Sequence, residues 1–124
     1  MSEKMIVKQL SPLECRDLVV RLSGPPFGDN FADAKRLVIL DVRTPQEYGM
    51  GHLNGSINLD FRSPSFGDEI ARLDRDKAYL LYCRTGNRSG RVLKLMSSLG
   101  FPELYNLTKG IEQWQREGYE VVLG

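Results

Sequence analysis

The 124 residues are the length of one domain, residues 1–124, and 41% hydrophobic with 27% charged content is typical of a soluble globular protein. Because 17 basic side chains nearly balance 16 acidic ones, the charge gives no reason to expect nucleic-acid or membrane partners. No apolar stretch reaches membrane-spanning length, and two cysteines without paired Cys or His spacing indicate neither a disulfide framework nor a metal site. A reducing cytoplasm is the expected location.

The amino-terminal part predicts a strand followed by a helix. Residues 5–7 are a short apolar run. Ser11, Pro12 and Glu14 then form a capping box with proline at the first helical position, so a helix begins here. Cys15 falls on the apolar face of this helix and has no basic neighbour or glycine turn, so we expect it to fill the core rather than to react.

A long loop is predicted for residues 23–34, where Gly, Pro, Asp and Asn are frequent. Its two aromatic residues, Phe27 and Phe31, are expected to pack at the edge of the core. The alternative is that they form a flap over the reactive site or a surface for a partner, since long loops in compact domains often serve a function.

The middle of the chain predicts a buried strand with an acid near its end. Residues 37–42 are a continuous apolar run apart from Asp41, as in a parallel sheet covered on both faces. We expect Asp41 to accept hydrogen bonds from backbone N–H groups or an arginine, because an unpaired buried carboxylate is costly. Thr44 and Glu47 form a second capping box, and the helix they open should end near Gly49 or Gly51.

A short helix in residues 60–77 should lead into a central strand and a reactive loop. The apolar run of residues 78–82 predicts the strand, and apolar residues at helical spacing predict a helix opened by Ser89: Val92, Leu95, Met96 and Leu99. Cys83 lies between the two, where a strand's carboxyl end meets a helix's amino end. Backbone N–H groups there, with Arg84 and Arg88 nearby, should lower the pKa of its thiol and make it a nucleophile.

The carboxyl-terminal part predicts one further strand and one further helix. Leu99 to Pro102 carries the glycine, aromatic and proline signals of a helix end. Residues 104–107 then predict a strand, and Thr108 is expected to cap a helix that carries Trp114 in the core and ends at Gly118.

Three segments together resemble a single-domain rhodanese: the loop CRTGNRS, the upstream stretch LVILDVRTPQEYGMGHLNGSINL and the downstream stretch LGFPELYNLTKGIEQWQREGYEVV. The resemblance covers residues 11–122. It implies a three-layer α/β fold with a mostly parallel sheet of about five strands flanked by helices. It also implies that Cys83 takes a sulfane sulfur from thiosulfate or another persulfide donor, carries it as a persulfide, and passes it to a thiol, cyanide or protein acceptor without a cofactor.

The resemblance also assigns the surrounding residues. The loop residues expected to bind the small anionic donor are Arg84, Thr85, Gly86, Asn87, Arg88 and Ser89. For Arg88, the alternative role is to brace the loop. Asp41 and Arg43 should lie beside the loop as supports, with direct contact between Arg43 and substrate left open. His52, in a Gly-His motif of the family, is expected to be structural.

Two alternatives remain at this stage. Phosphatases and arsenate reductases of the same fold have a loop one residue longer than the four residues between Cys83 and Arg88, and the shorter loop fits a terminal sulfur better than a phosphate. A persulfide carrier that docks a partner and has no thiosulfate turnover of its own has the same sequence signals.

Overall fold

The computed structural model describes residues 5–22 and 37–124. In chain order the elements are β1 (Ile6–Leu10), α1 (Pro12–Leu22), β2 (Leu37–Asp41), α2 (Pro45–Gly49), β3 (Ile57–Asn58), α3 (Phe66–Ala71), β4 (Ala78–Tyr82), α4 (Asn87–Ser98), β5 (Glu103–Leu107) and α5 (Gly110–Arg116). The predicted loop with Phe27 and Phe31 lies outside the described residues.

Five parallel strands form one sheet in the order β1-β5-β4-β2-β3, which confirms the predicted α/β class. Side chains alternate between the two faces of β4, so Leu80 and Tyr82 pack on one side while Tyr79 and Leu81 pack on the other. Helices α1 and α5 cover the first face, and α3 and α4 cover the second. The sheet is therefore the middle of three layers.

The register of the central strands sets the position of the cysteine. Asp41 of β2 lies opposite Tyr82 of β4, and the backbone N–H of Val42 donates to the carbonyl of Tyr82 at 3.1 Å. The two strands therefore end side by side, and Cys83 follows at that edge. This is the edge at which parallel sheets present the residues that bind ligands.

The end signals around α1, α2 and α4 are formed as the sequence predicts. The Ser11–Glu14 and Thr44–Glu47 pairs are both reciprocal capping boxes. At the end of α4, Gly100 has a φ of +90° and Phe101 N–H reaches back to the carbonyl of Met96, a Schellman arrangement.

Two predictions about α4 are wrong in detail. The helix begins at Asn87 after Gly86, two residues before Ser89. Leu95 is 37% exposed, whereas Leu93 is buried. The reason is that the Ser89 side chain turns inward and sets the rotation of the helix, so the buried stripe consists of Ser89, Val92, Leu93 and Met96.

The prediction that Thr108 caps the last helix is also wrong. Lys109, with a φ of +66°, precedes the first residue of α5, and the Thr108 hydroxyl donates to Gln9 Oε1 at 3.2 Å instead. The helix needs no side-chain cap here because its first N–H groups donate to carbonyls of the cysteine loop, described below.

His52 contacts α2 and the segment around Val122. His52 Nδ1 lies 3.0 Å from the carbonyl of Tyr48, its ring stacks on that of Tyr48, and its backbone pairs with Val122. Cys15 and Trp114 are buried in the core, as expected. Within the described ranges, the helices are too short and too polar to cross a membrane.

Candidate active site

Cys83 begins the cysteine loop, residues 83–88, which runs from the end of β4 into the first turn of α4. The residue is only 1% exposed, so its sulfur lies at the floor of the loop rather than on the surface. Gly86 has a φ of +104°, a conformation that lets the backbone turn back over the cysteine. The strand and the helix therefore hold the thiol from both sides.

Hydrogen-bond donors converge on the Cys83 sulfur. The backbone N–H of Gly86 lies 3.1 Å from Sγ, and the N–H and hydroxyl of Ser89 each lie 3.4 Å from it. Burial raises the pKa of the Cys83 thiol, but the hydrogen bonds from Ser89 outweigh it, together with those from Gly86 and Thr85. The pKa of the thiol is therefore lowered, which favours the thiolate needed for nucleophilic attack.

The Ser89 hydroxyl has a choice of acceptors. Its oxygen lies 3.4 Å from Cys83 Sγ and 3.3 Å from the carbonyl oxygen of Gly86, but a hydroxyl has a single proton to donate. A thiolate is a stronger acceptor than a neutral thiol, so ionisation of Cys83 draws this proton to the sulfur. Ser89, expected from the sequence as part of the binding loop, is thus placed to stabilise the charged sulfur.

Helix α5 clamps the first part of the loop, a contact that the sequence analysis missed. The N–H of Ile111 donates to the carbonyl of Cys83 at 3.0 Å, and the N–H of Glu112 donates to that of Arg84 at 3.1 Å. A Cβ atom on Gly110 would lie only 2.3 Å from the Arg84 oxygen. The only feature of the sequence that could have indicated this contact is Gly110, which directly precedes the apolar helical pattern.

Arg88 braces the loop from the opposite side. Its guanidinium makes two parallel hydrogen bonds with Glu47, Nη1 to Oε1 at 2.8 Å and Nη2 to Oε2 at 2.9 Å. The hydrogen bond from Arg88 is the main cause that lowers the pKa of Glu47 to about 2. Of the two roles predicted for Arg88, bracing is the one that these contacts support. Glu47 was identified only as a helix cap, so its second role was missed.

Arg84 is the exposed arginine of the loop. Its side chain is 66% exposed, and Nε lies 3.5 Å from Glu112, a long contact of the kind that contributes little to stability. Thr85 and Asn87 are also exposed along the rim. The guanidinium of Arg84 is therefore accessible to an anion that approaches the loop.

Asp41 and Arg43 form a buried pair beside the loop. Arg43 donates to both carboxylate oxygens of Asp41, the shorter contact being 2.7 Å, and also to the carbonyl of Gly51 at 2.7 Å. The side-chain amide of Asn58 donates to the carbonyls of both residues. Asp41 accepts from the Arg43 side chain and also, at 2.9 Å, from the Arg43 backbone N–H, so both expected kinds of donor are present. The pair holds the ends of β2 and β3 in place.

The arrangement suits attack by sulfur on an electrophilic atom. It supplies a stabilised thiolate, N–H groups directed at negative charge and an accessible guanidinium. Among residues 5–22 and 37–124, no group of three or more His, Cys, Asp or Glu side chains is placed to hold a metal.

Comparison with known proteins gives the same family as the sequence motifs. The family model of the rhodanese-like domain matches residues 27–117. A thiosulfate sulfurtransferase GlpE from Ectopseudomonas mendocina is 36% identical over 78 residues, which cover 63% of this chain and 70% of that protein. A probable adenylyltransferase/sulfurtransferase MoeZ from Mycobacterium tuberculosis is 31% identical over 83 residues, but the chain spans only 21% of its length.

Solved structures agree with this result. A rhodanese-related protein from Thermoplasma volcanium has a TM-score of 0.72 and 28% identity, with 94% of this chain and 99% of that one covered. A rhodanese-like domain from Anabaena, at 21% identity and a TM-score of 0.69 over 94% of this chain and 79% of that one, shares the fold. The chain is a member of the rhodanese-like domain family.

Proposed function

We propose that this protein is a sulfurtransferase that carries a sulfane sulfur on Cys83. In the first half-reaction the Cys83 thiolate attacks the outer sulfur of thiosulfate, the S–S bond of thiosulfate breaks, and sulfite leaves with the electron pair. In the second, an acceptor thiolate attacks the outer sulfur of the persulfide, a new S–S bond forms, and the Cys83 thiolate is released. A protein thiol reacts in the same way, whereas cyanide attacks the outer sulfur through its carbon and forms the C–S bond of thiocyanate.

The convergence of three donor groups on the Cys83 sulfur carries this proposal. The Gly86 and Ser89 N–H groups and the Ser89 hydroxyl stabilise negative charge on sulfur, and charge on sulfur is present both before loading and after discharge. No proton has to be removed in the attack step when the thiol is already ionised. The absence of a general base from the mechanism is therefore consistent with the role of Asp41, whose carboxylate is occupied by Arg43.

Loop length supports sulfur rather than phosphate as the transferred group. Four residues separate Cys83 from Arg88, and Arg88 is directed to Glu47. An arginine held by a carboxylate in a bidentate contact is not available to bind a tetrahedral phosphate in the same way. The names of the relatives, which include thiosulfate sulfurtransferases, support the same reaction class.

Intact-mass analysis tests the loading step. Incubation with thiosulfate should add the mass of one sulfur atom to the protein, and reduction should remove it. Cys83→Ser should abolish the gain, whereas Cys15→Ala should retain it, because burial raises the pKa of Cys15 to about 12 and keeps it protonated. Loading of the Cys83→Ser variant would refute the proposal.

Steady-state transfer from thiosulfate to cyanide and to thiols tests turnover. Because a covalent intermediate separates the half-reactions, the kinetics should be ping-pong. A persulfide that forms from a protein donor, without turnover of thiosulfate, would instead identify a carrier. Either role depends on a lone reduced thiol, which supports the cytoplasm as its location.

A further inference from the structure

A pocket of about 640 Å³ lies on the side of the sheet that α1 and α5 cover. Its lining comes mainly from α1, from β2 and from the end of α5 with the segment that follows it. None of the described lining residues belongs to the cysteine loop, and Cys83 packs with the opposite side of the sheet. The pocket is therefore separate from the candidate active site, and its volume is in the range of about 300–1,000 Å³ that is usual for organic ligands.

The apolar part of the lining is buried and partly aromatic. Ile39, Leu53 and Trp114 belong to the buried core, and Tyr119 packs against it. The indole N–H of Trp114 donates to the carbonyl of Glu120 at 2.8 Å, so the polar atom of this ring is already satisfied. The ring centroids of Trp114 and Tyr119 lie 5.0 Å apart, and the ring planes are tilted by 46°. A planar aromatic ligand suits these walls, because tilted and offset contacts between rings are favourable.

The charged part of the lining is acidic. It consists of two exposed glutamates, Glu117 and Glu120, and one arginine, Arg16. The guanidinium of Arg16 lies over the ring of Tyr119, 5.5 Å from its centroid. Within residues 5–22 and 37–124 neither glutamate forms an ion pair, and Glu117 accepts only a hydrogen bond from the neutral amide of Gln113. The described lining therefore favours a ligand that carries a positive charge.

We propose that this pocket binds a small aromatic amine. The ring of the ligand packs against Trp114 and Tyr119, and its ammonium group is directed to Glu117 and Glu120. Burial of the ring supplies most of the affinity, whereas the two carboxylates supply the preference for a cation over an anion of the same shape. The site takes no part in sulfur transfer, so this proposal does not rest on the proposed function.

Fluorescence provides a direct test, because Trp114 is the single tryptophan of the chain. The test compounds are 2-phenylethylamine and 3-phenylpropionate, which share a ring and a two-carbon linker but differ in charge, and butylamine, which has the charge without the ring. Phenylethylamine should change the Trp114 emission saturably, with a Kd of about 1 mM for so small a compound. Phenylpropionate should bind about fivefold more weakly, as expected from exposed ion pairs, and butylamine should give no saturable change.

Equal affinities for the two aromatic compounds would overturn the proposal. The same conclusion would follow from an emission change that rises in proportion to concentration without saturation, since that is collisional quenching rather than binding.

Two double variants test the role of the carboxylates. Glu117→Gln with Glu120→Gln should remove the fivefold preference for the amine. Asp68→Asn with Asp76→Asn is the matched control, because it removes the same number of exposed carboxylates outside the pocket lining. The control should retain the preference. Retention of the preference in the glutamate variant, or its loss in the control, would contradict the assigned ammonium position.

Alkylation of Cys83 tests whether the compounds bind at this pocket or at the cysteine loop. Protein that has been treated with iodoacetamide should bind phenylethylamine with unchanged affinity, because no described residue of the pocket lining belongs to the loop. Loss of binding after alkylation would place the amine at the loop and overturn the proposal. Because the readout is Trp114 emission, a protein that transfers no sulfur can still confirm this site.

Discussion

Replacement of Gly110 by alanine tests whether α5 holds the cysteine loop in its reactive shape. Gly110 has a φ of +66°, and an added Cβ would lie 2.3 Å from the Arg84 oxygen and 2.5 Å from that of Cys83. Ordinary contact begins at 3.4 Å, so the helix and the loop must separate by about 1 Å. The contacts to be disturbed are backbone atoms, which cannot rotate away as a side chain can.

The expected loss of stability follows from the bonds involved. Separation breaks or lengthens the two hydrogen bonds from Ile111 and Glu112 to the loop, each contributing about 1 kcal/mol. Alanine in the left-handed conformation costs about 1–2 kcal/mol more. The free energy of unfolding should therefore fall by about 3–4 kcal/mol in Gly110→Ala, measured by urea denaturation.

Gly118→Ala is the matched control. Gly118 lies beyond the other end of α5 and also has a positive φ, +87°, but a Cβ there would meet no atom within 4 Å. Gly118→Ala should lower the free energy of unfolding by about 1–2 kcal/mol, the cost of the left-handed conformation, and should leave the loop undisturbed. Comparing the two variants therefore separates the clash from the backbone conformation.

The functional consequence is a higher pKa of the Cys83 thiol. When the loop shifts, the N–H groups of Gly86 and Ser89 no longer converge on Sγ, and burial then dominates. Alkylation by iodoacetamide, followed across pH, should show the inflection moving to higher pH and the rate at neutral pH falling. Identical alkylation profiles for Gly110→Ala and Gly118→Ala would refute the inference that α5 holds the cysteine loop in its reactive shape.

Three further outcomes follow from the site. Ser89→Ala should raise the pKa of the Cys83 thiol, seen in the same alkylation profile, because it removes one donor while the backbone N–H remains. Glu47→Gln should reduce stability by about 1–2 kcal/mol at neutral pH. The pKa of Glu47 is lowered from 4.5 to about 2, so its charge stabilises the folded protein above pH 4.5 and this contribution is lost as pH falls towards 2. The difference in urea midpoint between Glu47→Gln and the parent protein should therefore shrink below pH 4.5 and vanish towards pH 2. Peptide mapping of native protein should find Cys83 alkylated and Cys15 unmodified.

Signals that lie close together in the chain explain why the reactive loop could be predicted. An apolar run, a cysteine, a glycine and an apolar helical pattern occur within residues 78–99, so strand, loop and helix follow from local preferences. The same holds for the Thr44–Glu47 capping box, whose members are three residues apart. The position of Cys83 at the sheet edge could therefore be predicted without knowing any contact between distant segments.

The supports of the loop could not be predicted because they come from distant segments. Arg88 and Glu47 are 41 residues apart, and the capping box that marks Glu47 locally says nothing about a distant arginine partner. Gly110 follows the loop by more than 20 residues, and its importance depends on the approach of two backbones. The inward rotation of Ser89 likewise depends on Cys83, so the hydrophobic pattern alone placed Leu95 on the buried face, where the structure has Leu93.

The burial of Cys83 has a consequence for which molecules can react at each step. At 1% exposure, the sulfur reacts most readily with a reagent whose reacting atom is terminal or unhindered, and the sulfane sulfur of thiosulfate is such an atom. Once loaded, the reactive sulfur lies about 2 Å beyond Sγ, the length of an S–S bond. A bulkier acceptor can then reach an atom that was inaccessible before. A buried thiol with donors directed at it therefore selects small donors, and the added sulfur itself widens the range of acceptors.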